Sequence, residues 1–349
     1  MITTRDIVRW MCGSLMAVGL LLLAACSSDS ADDSIDTPQD NLLHLSSVTR
    51  TTTEYIPENG NNIMMYVMTK DAQYSAGNFS YTTSWSNSNI RVKEHEQFYM
   101  YGYMPGTYDS EIDLNGNYSR ECDLTIKNLP IFTSEDIYAI VGVQRISTTE
   151  EPKNIIEGNY GYLSGLNDEN YVNLLMDHLY SKLVLKMNVD ANYSLLRDIK
   201  LKSVTLTCSY GETVNVTVKL RTGYGLQGNA TAYSANSNGN SQVHQLWTSS
   251  DESGTLIPSE TNEDDLLNLG TINCPPVVLD AAGTYMKMTC TYDVYDKERN
   301  KMRECTVENK LKTTNVNHGM EYTVTLTVAP TYLYVLSDDD LNNPTIKIN

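Results

Sequence analysis

"YTVTLTV", residues 322–328, alternates Tyr322, Val324, Leu326 and Val328 with three threonines. A two-residue period puts all four apolar side chains on one face of an extended strand and the hydroxyls on the other. A helix would scatter the same residues around its axis. The period recurs in Val214, Val216, Val218 and Leu220, in Leu183, Leu185, Met187 and Val189, and in Met286, Met288, Cys290, Tyr292 and Val294. In "DIKLKSVTLTC" (198–208) the apolar set runs Ile199 and Leu201, then Val204, Leu206 and Cys208. Parity changes between Lys202 and Ser203, which predicts a bulge or bend. Further strands are expected over 63–68, 97–103, 124–126 and 137–143, punctuated by Asn59-Gly60, Asn115-Gly116 and Asn128-Leu-Pro130. Helical spacing is confined to short pieces such as 264–269. The expected class is all-β, built as two mostly antiparallel β-sandwich domains with few short helices.

The N-terminus is of another kind. Arg5 and Arg9 precede a run from about Trp10 to Ala25 that carries no charge. A positive flank and a short apolar core read as a secretory signal and not as a membrane span, which needs about 20 apolar residues. Leu23-Ala24-Ala25-Cys26 resembles the lipobox of bacterial lipoproteins. That resemblance implies cleavage before Cys26 and acylation of its thiol, and two or three acyl chains anchor a protein stably where one is marginal. Residues 26–40 are rich in Ser and Asp, with too little apolar surface to offset the entropy of ordering, and are expected to act as a flexible acidic tether. This stretch resembles the surface-export signal of Bacteroidetes lipoproteins.

The formal net charge is −18, and loss of Arg5, Asp6 and Arg9 with the signal leaves the mature chain one unit more acidic. Such a balance disfavours nucleic acid and bare anionic membrane as partners. Tyr outnumbers Phe 24 to 3, which suits half-exposed strand positions that keep a hydroxyl in water. With Cys12 lost to the signal and Cys26 to lipid, Cys122, Cys208, Cys274, Cys290 and Cys305 remain, an odd number. Cys290 and Cys305 flank a turn near 297–300. A four-residue loop there opposes Cys305 to Tyr292, so no disulfide is expected between them. Two domains are expected, 41–172 and 173–349, with the seam at the polar "SGLNDENY" (164–171).

Signs of catalysis and of cofactor or metal binding are missing. His44, His95, His178, His244 and His318 are scattered, and there is no Cys-x-x-Cys, Gly-x-Ser-x-Gly or phosphate-binding glycine loop. Glu111-x-Asp113-x-Asn115-Gly116 opens like a calcium loop, but Cys122 stands where the closing acid belongs, and a hairpin turn is the better reading. Asp338-Asp339-Asp340 reads as a solvated acidic turn.

Together with the lipobox, "FYMYGYMP" (98–105), "LLMDHLYSKLVLKMNV" (174–189) and "GMEYTVTLTVAPTYL" (319–333) resemble the fimbrillin family of the Bacteroidales, the subunits of lipoprotein-derived type V pili. The resemblance implies two sandwich domains of transthyretin-like topology, no catalysis, and assembly in which a strand of one subunit completes a sheet of the next. It also implies that an N-terminal segment first fills that place and is removed by a protease after an arginine. Arg50 stands where that arginine is expected, with Leu42, Leu43 and Leu45 as pocket fillers. Tyr332, Tyr334 and Leu336, and beyond them Ile346 and Ile348, form the candidate donor strand. The implied partners are other pilus subunits, the outer membrane through the lipid on Cys26, and surface ligands on host or bacterial cells. A competing class is the glycan-binding surface lipoprotein of a polysaccharide uptake system, with Trp85 and Trp247 as the sugar platform.

Overall fold

The computed structural model describes residues 42–50, 53–54, 56–69, 74–87, 89–92, 97–113, 122–145, 163–164, 171–208, 211–219, 231–235, 243–276, 286–311, 317–330 and 345–348. Strands dominate throughout, and the all-β expectation holds. Among the described residues they form four sheets. The largest, of nine strands, runs in the order Thr53–Glu54, His44–Arg50, Tyr171–His178, Tyr138–Arg145, Gln97–Met104, Asn62–Thr69, Tyr74–Tyr81, Trp85–Ser86, with Leu163–Ser164 beside Gln97–Met104. A second joins Thr231–Ala235, Thr213–Lys219, Asp123–Pro130 and Ser110–Asp113. A third joins Leu267–Cys274, Ser181–Val189, Glu321–Ala329 and Thr345–Ile348. The fourth joins His244–Thr248, Arg197–Cys208, Met286–Asp296 and Lys301–Leu311, with Thr255–Leu256 beside Arg197–Cys208.

The period-two sets are the buried sets. Leu183, Leu185, Met187 and Val189 are buried, as are Val214, Val216 and Val218, and Met286 through Val294 at alternate positions. Leu326 and Val328 are buried in Glu321–Ala329, while Tyr322 and Val324 pack half-buried against the same core. The parity change near Lys202 is a bulge. Pairing with Met286–Asp296 jumps from Leu201↔Tyr292 to Ser203↔Thr291 and leaves Lys202 out. The displaced ammonium reaches Asp293 at 3.0 Å and Glu304 at 2.7 Å.

Three local expectations change. Asn128-Leu-Pro130 lies inside the end of a strand, not after it: Asp123–Pro130 continues past Ile126 and stops at Pro130, with Asn128 at a φ of 56° and the register against Thr213–Lys219 shifting between Val214 and Val216. Asparagine tolerates left-handed backbone, so the turn signal is spent on a bulge inside the strand. Of 264–269, only Asp264 and Asp265 belong to a short 3-10 turn, Glu263–Asp265, and a strand starts at Leu267 because its apolar residues are needed in the third sheet. The α-helix, Ala191–Leu196, stands where no helical spacing was evident. Its signal is Asp190, whose carboxylate accepts from the N–H groups of Asn192 and Tyr193 as an N-cap.

Residues 40–349 form one compact unit. Backbone pairing crosses the boundary expected at 172/173: Tyr171–His178 completes the first sheet, and Asp123–Pro130 pairs with Thr213–Lys219. Two apolar clusters result. The smaller lies on one face of the first sheet and contains Leu43, Leu45, Val48, Trp85, Val172, Leu174 and Met176. The larger takes the other face through Tyr66, Tyr101, Ala139 and Leu175 and continues into the other three sheets.

Candidate functional site

The strand His44–Arg50 stands apart from its neighbours in how it is held. It lies parallel to Tyr171–His178, with Leu45 opposite Val172, Val48 opposite Leu174 and Arg50 opposite Met176. On its other side Thr53–Glu54 lies opposite Thr49 and Arg50. Just before it, Leu42 bridges to Arg91 and the Leu43 N–H donates to the Ile90 carbonyl at 2.9 Å. The Asn87 amide donates to the Leu43 carbonyl. The strand is thus seated at both ends, by short contacts, and along one flank.

Its side chains fill the smaller core. Leu43 is 0% exposed, Leu45 5% and Val48 2%, and Leu42 is half-buried. Leu43, Leu45 and Val48 are thus core side chains, the last of them one that sequence reading passed over. The reason is a bulge: register shifts between Leu45 and Ser47, Ser46 is exposed, and Val48 instead of Ser47 turns inward. Ser47 faces the other way and donates through Oγ to Asn173 Oδ1 at 2.7 Å. Neither residue carries a motif that would have announced this bond. Arg50 closes the strand, its backbone paired with both Met176 and Thr53.

At the other end of the chain, Thr345–Ile348 is antiparallel to Glu321–Ala329 at the margin of the third sheet, with Ile346 opposite Val328 and Ile348 opposite Leu326. Ile346 is buried in the larger core. Cys26, Tyr332, Tyr334, Leu336 and the Asp338–Asp340 run lie outside the described residues, as does most of the loop after Asp113.

Chemistry-bearing groups among the described residues sit in structural roles. No group of three His, Cys, Asp or Glu side chains is placed to hold a metal ion. His178 Nδ1 meets Asp136 Oδ2 at 2.9 Å, Tyr138 donates to the same oxygen at 2.7 Å, and the two rings pack 4.6 Å apart. These residues clasp two paired strands, since His178 and Tyr138 are register partners. His244 packs on Phe132, and burial lowers its pKa. Cys122, Cys208, Cys274, Cys290 and Cys305 are buried free thiols. Trp85 is 7% exposed against Tyr81, and Trp247 packs half-buried on the larger core. No helix among the described residues is long and apolar enough to cross a membrane.

No protein-family model matches the chain, and no curated protein matches its sequence. Solved structures do match. A fimbrial protein from Bacteroides vulgatus aligns over 88% of this chain and 98% of its own, with a TM-score of 0.53 at 15% identity. The fimbrial anchor protein Mfa2 from Porphyromonas gingivalis aligns over 88% of this chain and 96% of its own, with a TM-score of 0.34 at 12% identity. The first of these shows a shared fold: the all-β architecture implied by the fimbrillin resemblance is also that of a solved fimbrial protein.

Proposed function

We propose that the chain is a non-catalytic structural and adhesive subunit of a surface fimbria, exported as a lipoprotein and assembled by strand exchange between subunits. The observation that carries this reading is the seating of His44–Arg50. It is a strand whose Leu45 and Val48, with Leu43 just before it, are buried in the smaller core, which pairs with Thr53–Glu54 at Thr49 and Arg50, and which ends at an arginine. Cleavage after Arg50 leaves three vacated pockets beside the unpaired edge of Tyr171–His178. An incoming strand satisfies both needs at once: its backbone completes the ladder and its alternate side chains fill the pockets.

In this reading 1–25 is the signal, 26–40 the tether acylated at Cys26, and 41–172 and 173–349 the two sandwich domains. The donor comes from the C-terminal segment, Tyr332, Tyr334 and Leu336 with Ile346 and Ile348. Thr345–Ile348 suits release because it is a four-residue strand at a sheet margin, paired among the described residues on one side only, with Glu321–Ala329. The partners are other pilus subunits, self or related, and the site of action is the outer membrane surface.

Limited trypsin treatment of the purified chain tests it. Release of the residues up to Arg50 is expected to convert monomer into a ladder of boiling-resistant oligomers, and deletion of 332–349 to abolish the ladder. A clean monomer after the cut would remove the stalk reading.

A further inference from the structure

The carbonyl to be attacked in the proposed cut belongs to Arg50, and the backbone there is committed on both flanks. Thr49 stands opposite Leu175 and Arg50 opposite Met176 in the parallel ladder, while Glu54 and Thr53 stand opposite the same two residues on the other side. Val48, one position earlier, is opposite Leu174 and only 2% exposed in the smaller core. The three residues before the bond are thus held by two ladders and one core side chain.

A protease takes its substrate as an extended segment whose backbone pairs with the walls of the cleft, much as an added strand pairs with a sheet edge. Thr49 and Arg50 cannot pair with a cleft while they pair with Tyr171–His178 and Thr53–Glu54. Val48 must leave the core as well, because its backbone cannot be drawn out while its side chain stays behind. Exposed loop tips are the usual sites of nicking because their backbone is free of such bonds. A segment laced into a sheet is cut only from a locally opened state.

We propose that the seating of Val48, Thr49 and Arg50 is an autoinhibitory contact: the strand withholds its own processing bond, and the chain is cut only after residues 48–50 have lifted from Tyr171–His178. Where opening and closing are faster than the cut, the rate follows the population of the lifted state. The stability of the strand's seating, and not the supply of protease alone, then sets how fast subunits are activated. This rests on the proposed cleavage after Arg50 and adds what regulates it.

The test times the trypsin cut after Arg50 by mass spectrometry, in the folded full chain and in a synthetic peptide of residues 42–56. The chain is expected to be cut on the order of a hundredfold more slowly than the peptide, or slower still. Val48→Ala is expected to speed the cut in the chain roughly tenfold and to leave the peptide's rate unchanged. Met288→Ala, which empties a buried position in the larger core, is expected to leave the chain's rate unchanged. A chain cut as fast as the peptide overturns the proposal and leaves strand exchange standing. So does equal acceleration by the two variants, or none by Val48→Ala. A slow cut that yields only monomer overturns strand exchange and leaves the contact standing. A chain uncut after Arg50 even with Val48→Ala, when the peptide is cut, overturns both. Should Val48→Ala fail to fold, the native chain against the peptide still decides.

Discussion

Tyr292 stands directly opposite Cys305 across the hairpin formed by Met286–Asp296 and Lys301–Leu311, while Cys290 faces Val307. The offset agrees with the loop-length reading and keeps the two thiols on different rungs of the ladder. Disulfide geometry demands Cα atoms within about 7 Å and converging Cβ vectors. Burial also pushes the Cys290 thiol up to about 12, so the reactive thiolate is absent at neutral pH. Alkylation at pH 7.5 followed by peptide mass mapping is expected to leave Cys122, Cys208, Cys274 and Cys290 unmodified in the folded chain and to modify them fully in 6 M guanidinium chloride. A peptide linking Cys290 to Cys305 would contradict the register.

Gly102 and Gly106 are fixed by close approach. A Cβ built on Gly102 would lie 2.3 Å from the Met64 carbonyl oxygen, and one on Gly106 would lie 2.3 Å from the Met64 nitrogen. Both obstacles are backbone of Asn62–Thr69, which cannot rotate aside. Gly102→Ala is therefore expected to push two central strands of the first sheet apart and to cost more than about 3 kcal/mol, within the range of severe overpacking. Urea denaturation followed by circular dichroism measures it. At Gly60, where an added Cβ would meet no atom within 4 Å and φ is 97°, alanine costs only the backbone strain, about 1–2 kcal/mol.

Residues 42–50 separate core side chains from bystanders. Leu43→Ala removes a side chain with no exposed surface and is expected to destabilise by about 2–5 kcal/mol. Val48→Ala should cost about half as much, and Leu42→Ala, at a half-buried bridge position, less than about 1 kcal/mol. Denaturant midpoints of the three variants give the order directly. Equal losses at Leu42 and Leu43 would contradict the difference in their burial, and no loss at Val48 would contradict the bulge at Ser46.

Asp296 gives a pH dependence with a definite sign. It accepts from the N–H groups of Glu298 and Arg299 at 3.0 Å each and pairs with Arg197 Nη2 at 3.1 Å. These interactions, the bond from Arg299 foremost, hold its carboxyl below the ordinary carboxylate range. A carboxyl depressed on folding contributes its stability above its unfolded pKa of about 3.9 and loses it as pH falls through the lower folded value. Melting temperature is thus expected to drop below about pH 4, and Asp296→Asn to make that drop shallower while lowering the neutral-pH value. An unchanged slope in the variant would remove Asp296 as a cause.

Much of the fold could be read in the chain because strand burial writes a period of two, as Met286 to Val294 and Leu183 to Val189 show. Even the bulge at Lys202 was visible, since it breaks parity inside one strand. The bulge at Ser46 was not, because "LHLSSVTR" holds too few apolar residues on either side to reveal a phase change. Asn128 was misleading for a related reason: asparagine adopts left-handed backbone equally well in turns and in bulges. The helix at Ala191–Leu196 is a turn and a half long and leaves no periodicity, only its Asp190 cap. The Ser47–Asn173 bond was illegible because its two residues meet through the tertiary ladder, 126 positions apart.

That separation also imposes a chronology. A ribosome makes His44–Arg50 long before Tyr171–His178 exists, so the parallel ladder between them waits until the later strand has been completed. Long-range pairing of this kind is slow, because loop closure must precede any gain. One flank of the first sheet is therefore closed by two pieces of chain made far apart in time.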